Sequence, residues 1–242
     1  GQGKLRLTGD SSSTYNDGIL IYNGTLILGD GNDSGADFHS DTDFLIAQGK
    51  LEIAANESIT NTVNGGSNAT LKSIVGGSGT LGTLTIGDQS GEIDYVSPGQ
   101  GISSSLTPSK KQVNLDANES GSIGNFTVTT LNWNDGGVYD WQIQDFDPSG
   151  GTAGTDWDLL SINNLNFESG QTFDINILAI NNTDGSQGAP GSPANLWGQY
   201  TETAGFKFMT ASGTVTGIGT GDVTSSFDIR ADDFYYAADN WF

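Results

Sequence analysis

Short stretches in which apolar and polar residues alternate occur along much of the chain. Residues 126–131 read Phe-Thr-Val-Thr-Thr-Leu and residues 173–177 read Phe-Asp-Ile-Asn-Ile. A period of two predicts β-strands with one buried face, and no window of helical length carries apolar residues at helical spacing. The pattern therefore predicts an all-β protein.

A strand motif led by glycine recurs in the first third of the chain. Its clearest form is Gly-Thr-Leu-Ile-Leu-Gly at residues 24–29, and looser copies occupy residues 3–9, 49–53 and 79–87. The leading glycines follow one another at spacings of 21, 25 and 30 residues. Repeats of this length are typical of one structural unit per turn of a solenoid.

Stacked units of this kind would align their apolar residues in one continuous core. We predict that the core includes the apolar residues of the glycine-led strands: Leu5, Leu7, Leu26, Leu28, Leu51, Ile53, Leu84 and Ile86. A thicker, aromatic core is expected after residue 121, from Trp133, Tyr139, Trp141, Phe146, Trp157, Phe167 and Phe173. We accordingly divide the chain into repeats over 1–122, with an irregular excursion at about 88–122, and a C-terminal region over 123–242.

The composition narrows the range of partners. The chain has 242 residues, 36 of them glycine and none cysteine, so many tight turns are expected and disulfides are excluded. Its 29 acidic and 8 basic residues give a formal net charge of −21. A charge of this sign repels nucleic-acid phosphates and anionic lipid surfaces, so we expect neither nucleic-acid binding nor membrane insertion.

Two segments of the chain resemble a known family. Residues 1–29 read Gly-x-Gly-x-Leu-x-Leu-Thr-Gly, a loop, and Gly-Thr-Leu-x-Leu-Gly, which resembles the autotransporter-associated β-strand repeat of bacterial surface proteins. Residues 136–143 and 154–162 resemble the end region of such passenger proteins. The resemblance implies a right-handed parallel β-helix or β-solenoid with an aromatic-rich C-terminal β cap. It also implies a secreted, extracellular protein of the cell surface with a structural or adhesive role and no enzymatic activity.

Acidic loops are candidate calcium sites, because Ca²⁺ prefers several oxygen ligands. The loop after residue 29 begins Gly-Asp-Gly-Asn-Asp, which resembles half of a β-roll calcium turn, and its candidate ligands are Asp30, Asp33, Asp37, Asp41 and Asp43. A second acidic cluster contains Asp145, Asp147, Asp156 and Asp158. Solvated turn carboxylates are the alternative interpretation of both loops.

The residue types present disfavour some catalytic functions and leave others open. His39 is the only histidine and no Gly-x-Ser-x-Gly motif is present, which disfavours a Ser-His-Asp hydrolase. Glycoside hydrolysis needs only two carboxylates, so it stays an alternative. The aromatic cluster of Tyr235, Tyr236, Trp241 and Phe242 could stack on sugar rings or cap the end of a solenoid. The candidate partners are therefore an extracellular polysaccharide and a second copy of the chain, assembled end to end or by strand donation into fibres.

Overall fold

The computed structural model describes ten parts of the chain. They are residues 3–8, 18–29, 31, 42–66, 72–87, 93–99, 122–144, 151–180, 206–218 and 226–230. These residues contain no α-helix, and β-strands dominate them. The predicted all-β class is confirmed.

Fourteen strands form one sheet. They are β1 (Lys4–Leu7), β2 (Ile19–Leu28), β3 (Phe44–Ile53), β4 (Ser58–Gly65), β5 (Lys72–Gly77), β6 (Thr80–Ile86), β7 (Ile93–Pro98), β8 (Asn125–Trp133), β9 (Gly137–Ile143), β10 (Leu159–Phe167), β11 (Phe173–Ala179), β12 (Met209–Ala211), β13 (Val215–Thr216) and β14 (Phe227–Arg230). The strands predicted at residues 126–131 and 173–177 fall within β8 and β11.

The sheet has two wings that meet at β3. Residues 44–46 of β3 pair with β4, and residues 49–53 pair with β5. Each strand from β4 to β9 then pairs with the strand two places further along the chain, whereas β10 pairs with β12 and β13, and β11 pairs with β14. The first wing consists of β4, β6, β8 and β10, followed by β12 and β13. The second wing consists of β5, β7, β9, β11 and β14. Every pairing between named strands of the described residues is parallel, including those of β1 with β2 and β2 with β3.

Parallel pairing in register aligns apolar side chains into ladders. One ladder crosses the second wing through Leu5, Leu26, Leu51, Val75, Val96, Tyr139, Ile175 and Ile229. Another crosses the first wing through Ile19, Phe44, Val63, Leu84, Leu131, Leu165 and Val215. The interior members of both ladders belong to one hydrophobic core, which the curled sheet surrounds.

Most of the predicted core residues are confirmed. Leu26, Leu28, Leu51, Ile53, Leu84 and Ile86 are buried. Leu7 is half-buried and packs against the core. The prediction for Leu5 was wrong, because its side chain is 58% exposed. Leu5 lies on β1, at an edge of the sheet where no described strand covers the outer side.

The predicted aromatic core is also confirmed for six residues. Trp133, Tyr139, Trp141, Trp157, Phe167 and Phe173 are all buried, whereas Phe146 lies outside the described residues. The Trp133 ring stacks on Phe167 with a centroid distance of 5.7 Å and meets Tyr139 edge to face at 6.5 Å. Aromatic contacts at such distances add to the free energy gained from area burial alone.

Glycine permits the bend at which β3 changes wing. Gly49 has φ of +121°. The adjacent strand β2 bends beside it at Asn23 and Gly24, which have φ of 123° and 89°. A Cβ atom on Gly49 would lie 2.5 Å from the carbonyl oxygen of Gly24. The close approach of the two backbones therefore requires glycine at position 49.

Candidate binding face

A seven-residue pattern is repeated in successive strands of the first wing. It reads Thr-Leu-Gly-Thr-Leu-Thr-Ile at residues 80–86, Thr-Val-Thr-Thr-Leu-Asn-Trp at 127–133 and Ser-Ile-Asn-Asn-Leu-Asn-Phe at 161–167. Its apolar positions point into the core. Its Ser, Thr and Asn positions are half-buried or exposed on the other side of the sheet.

The register of the strands places these polar residues in three columns. The first contains Ser58, Thr80, Thr127, Ser161 and Thr210. The second contains Thr62, Thr83, Thr130 and Asn164, and the third contains Asn64, Thr85, Asn132, Asn166 and Thr216. We call these fourteen residues the polar face. Neighbours within a column are about 4.8 Å apart, and the second and third columns are about 6.6 Å apart along each strand.

Hydrogen bonds fix the third column. The Asn132 amide donates to the Thr85 hydroxyl at 3.2 Å, and the Asn166 amide donates to Asn132 Oδ1 at 2.9 Å. The Thr216 hydroxyl continues the chain by donating to Asn166 Oδ1 at 2.9 Å. These four side chains of the third column are therefore held in a fixed orientation relative to one another.

Four threonines of the first two columns, Thr80, Thr83, Thr127 and Thr130, are half-buried on the outer side of the sheet. Among the described residues, no side-chain hydrogen-bond partner is found for any of them. Threonine is branched at Cβ and its χ1 angle is restricted, so each hydroxyl and methyl group is held in few orientations. The fourteen positions hold no charged residue, although the chain contains 29 acids and 8 bases. The polar face is thus an ordered, uncharged surface on an acidic protein.

A recess of about 360 Å³ lies at one end of the polar face. It is lined by Thr85, Asn132, Asn134, Asn166, Phe167 and Glu168. Glu168 is exposed and its Oε2 accepts a hydrogen bond from the Asp135 backbone N–H at 2.9 Å. Amide groups and one carboxylate thus converge on a volume suited to a small polar ligand.

Asp158 has a structural environment rather than that of a metal ligand. Its carboxylate is fully buried and accepts hydrogen bonds from the backbone N–H groups of Gly124 at 2.9 Å and Gln142 at 3.0 Å. Burial raises the pKa of Asp158 well above its ordinary value, with those two hydrogen bonds opposing the shift. The residue joins the start of β8 to the end of β9.

The second wing also carries buried and half-buried polar groups on the side away from the main core. The Asn176 amide donates to Asp140 Oδ1 at 2.7 Å, and Arg230 forms an ion pair with Asp174 at 2.8 Å. Burial, followed by the negative charges of Asp140 and Asp174, raises the pKa of Tyr95. These contacts tie β9, β11 and β14 together and leave no open site around the tyrosine, which is 3% exposed.

The structure describes few of the acidic residues predicted to bind calcium. Asp30, Asp33, Asp37 and Asp41 lie outside the described residues, and Asp43 is exposed at the start of β3, where its carbonyl oxygen accepts a hydrogen bond from Ile19. In the second cluster, Asp145 and Asp147 lie outside the described residues, and Asp156 accepts a hydrogen bond from the Thr152 backbone. Within the described ranges, no group of three or more Asp, Glu, His or Cys side chains could hold a metal ion.

His39 and the aromatic cluster of Tyr235, Tyr236, Trp241 and Phe242 also lie outside the described residues. Comparisons with family models, curated proteins and solved structures find no match to this chain. In the part of the chain that the structure covers, no helix is long and apolar enough to cross a membrane.

Sequence reasoning missed the polar face. The alternation in 126–131 predicts a strand, but it does not indicate which residues of other strands lie beside its polar positions. The signal was available in the order of residue types, because residues 80–86, 127–133 and 161–167 can be aligned without gaps. Only the register of the sheet shows that the aligned residues are neighbours.

Proposed function

We propose that this chain is a right-handed parallel β-solenoid that serves as a non-enzymatic structural or adhesive module of a bacterial surface protein, outside the cell. The observation that supports this most strongly is the pairing of each strand from β4 to β9 with the strand two places along the chain. Two strands per turn, stacked in register, produce that pairing. The aromatic residues of β8 to β14 would then form the C-terminal cap region.

A rigid stack suits a spacer or a display surface, because each layer is fixed by backbone hydrogen bonds on both sides and by the core beneath it. Among the described residues, the buried carboxylate of Asp158 has structural partners, since it accepts hydrogen bonds from the backbone N–H groups of Gly124 and Gln142. A structural role for this acid is compatible with the proposed non-enzymatic module.

Incubation with neutral and acidic polysaccharides, followed by measurement of reducing ends, tests the non-enzymatic assignment. We expect no release above that of a heat-unfolded control. Release that disappears in the Glu168→Gln variant would instead assign glycoside hydrolysis to the recess, which contains that carboxylate.

Polysaccharide binding without hydrolysis is the second candidate, and the recess is the observation that favours it. Its lining offers amide donors and acceptors at Asn132, Asn134 and Asn166. Binding measured on a panel of soluble glycans should be lost in Asn134→Ala if this candidate is correct. The Thr172→Ala variant, altered at an exposed site outside the recess, is the matched control.

Self-assembly is a further part of the proposal, since apolar side chains are exposed at two edges of the sheet. Leu5, Leu20 and Tyr22 are 58%, 60% and 64% exposed at one edge, and Val215 and Ile229 are 50% and 60% exposed at the other. Leu5 and Ile229 end the same apolar ladder, so stacking one copy on another would continue it.

Sedimentation velocity over a range of protein concentrations tests this assembly. We expect association that strengthens with added salt, because salt screens the repulsion between chains of charge −21. The Leu5→Lys variant should remain monomeric, and a wild-type chain that stays monomeric at all salt concentrations would exclude assembly.

A further inference from the structure

We propose that the polar face binds the surface of ice. The inference is separate from the proposed surface role. It starts from a repeat in two directions: hydroxyl and amide groups recur about every 4.8 Å across the strands, and about every 6.6 Å between the second and third columns. A ligand that fits such a surface as a whole must itself be a lattice with similar repeats.

Charge identifies the class of lattice. The fourteen residues are all Ser, Thr or Asn, whereas the chain as a whole has a charge of −21. A charged side chain holds a strong hydration shell and would disturb a crystal of water at the contact. Glu168 lies beside the third column, in the recess at one end of the polar face. The fourteen uncharged positions themselves suit an uncharged crystal whose oxygen repeats are of similar size.

Threonine has the chemistry that this ligand requires. Its hydroxyl can take the place of a lattice water, and its methyl group can occupy an opening between lattice waters. Thr80 and Thr127 are neighbours in the first column, and Thr83 and Thr130 are neighbours in the second, which lies two residues before the third column along each strand. Their limited rotamer freedom lowers the entropy lost when the surface is immobilised against a crystal.

The body of the protein keeps this surface rigid. Behind these threonines, Leu81, Leu84, Val128 and Leu131 are fully buried in the core. The hydrogen-bonded third column lies beside the second and holds Thr85, Asn132 and Asn166 in register. The hydroxyl positions are therefore set by the sheet before any ligand arrives.

Crystalline polysaccharide is the competing lattice, and the residue types of the face disfavour it. Sugar binding on a flat surface commonly relies on aromatic planes, because exchanging water for sugar hydroxyls yields little free energy. The fourteen residues include no aromatic side chain. Ice avoids this difficulty, because its surface molecules are the same water that solvates the hydroxyls.

Ice affinity of the whole chain tests the proposal. A single ice crystal is grown slowly in a solution of the fluorescently labelled 242-residue protein, and the fraction taken into the ice is measured together with the rate of ice recrystallisation. We expect the wild type to enter the ice and to slow recrystallisation. The Thr130→Tyr variant, which places a bulky ring in the second column, should lower the ice-bound fraction about tenfold.

Two further variants make the result decisive. Thr172→Tyr adds the same ring at an exposed position before β11 and should bind ice as the wild type does. Thr83→Tyr repeats the test at the neighbouring residue of the column, and thermal unfolding identifies any variant that fails to fold. Exclusion of the wild type from ice overturns the proposal, as does equal binding by a folded Thr130→Tyr variant. Binding to microcrystalline cellulose or chitin instead of ice would assign the face to a polysaccharide.

Discussion

Gly49 shows how one residue determines the path of the chain. Its positive φ and its approach to Gly24 occur where β3 passes from one wing to the other. Any side chain there meets a backbone carbonyl, which cannot move without disturbing β2. The bend therefore depends on both the conformational freedom and the small size of glycine.

We expect Gly49→Ala to lower the free energy of unfolding by more than about 2 kcal/mol, because it combines an unfavourable φ with a steric clash. Gly170→Ala is the matched control, since Gly170 also has a positive φ of 82° but no atom within 4 Å of a Cβ. Urea unfolding of both variants separates the two costs. Equal losses would show that the clash is relieved at no cost.

Asp158 connects stability to pH. Burial raises its pKa above the ordinary 3.8, so between that pH and the raised value the folded protein holds a proton that the unfolded chain has released. The contribution of Asp158 to stability is therefore complete below the ordinary pKa and falls as pH rises through this window. This pH dependence of stability has the opposite sign to that of a carboxylate stabilised by an ion pair.

The Asp158→Asn variant isolates this effect. We expect it to be less stable by about 1–3 kcal/mol near pH 4, because an amide NH₂ group replaces one acceptor of a buried N–H. The difference from the wild type should shrink as pH rises from about 4 to 8, since only the wild type loses the contribution of the protonated carboxyl. Chemical denaturation at several pH values measures the difference in free energy of unfolding between the two proteins. A difference that grows with pH would show that Asp158 is ionised in the folded state.

Between single strands, the hydrogen-bonded third column links β6, β8, β10 and β13. Asn132 is its central member and bonds to Thr85 on one side and to Asn166 on the other. Each such bond contributes about 0.5–1.5 kcal/mol in proteins. The column therefore stabilises the stacking of strands as well as the orientation of the polar face.

We expect Asn132→Ala to lower the free energy of unfolding by about 1–2 kcal/mol, because it removes both bonds and leaves the partners half-buried. Thr129→Ala changes an exposed residue of the same strand and should have an effect within about 0.5 kcal/mol. Thermal and urea unfolding provide the measurement. Equal effects of the two substitutions would mean that the column adds no stability.

The sequence predicts the positions of the strands better than it predicts which strands pair with each other. The alternation in residues 126–131 was sufficient to locate β8, and the glycine-led copies located β1, β2 and β6. The neighbours of β8 are β6 and β10, and no local pattern specifies such a pairing, because the intervening segments differ in length. Asn132 follows Thr85 by 47 residues but precedes Asn166 by only 34.

The site was less predictable than the fold, for a physical reason. Acidic residues in a loop suggest metal ligands, but the Asp158 carboxylate is buried and accepts hydrogen bonds from backbone N–H groups. The composition of the loop does not indicate this environment. Threonine and asparagine are common in strands and turns alike, so residue type alone does not identify the polar face. Only the register of the strands shows that its residues are neighbours. Leu5 was misplaced for a related reason, since burial depends on a neighbouring layer as well as on residue type.

For the molecule as a whole, the proposed solenoid predicts unfolding that begins locally. Leu26→Asp places a carboxylate in the core beneath β2, and an unpaired buried charge is strongly destabilising. In a stack each layer contacts only its neighbours, so the damage should remain near the substitution. We expect β1, β2 and β3 to lose hydrogen-exchange protection while β8 to β11 retain most of theirs.

Hydrogen exchange measured by mass spectrometry checks this expectation. Leu20→Asp is the control, because Leu20 lies on the same strand with its side chain 60% exposed, and protection should be unchanged. Loss of protection throughout the chain would show one cooperative unit. An unchanged pattern in the Leu26→Asp variant would contradict the place of Leu26 in the core.

The unequal segments between layers have a mechanical consequence. Each step of the third column advances the sheet by about 4.8 Å, yet Asn132 follows Thr85 by 47 positions in the sequence, and this length of chain could extend to on the order of 150 Å. Tension that unfolds one layer would release this length of chain in one step, and unfolding of the next layer would release a different length. A chain of this kind would lengthen under load in unequal steps while its remaining layers stay folded.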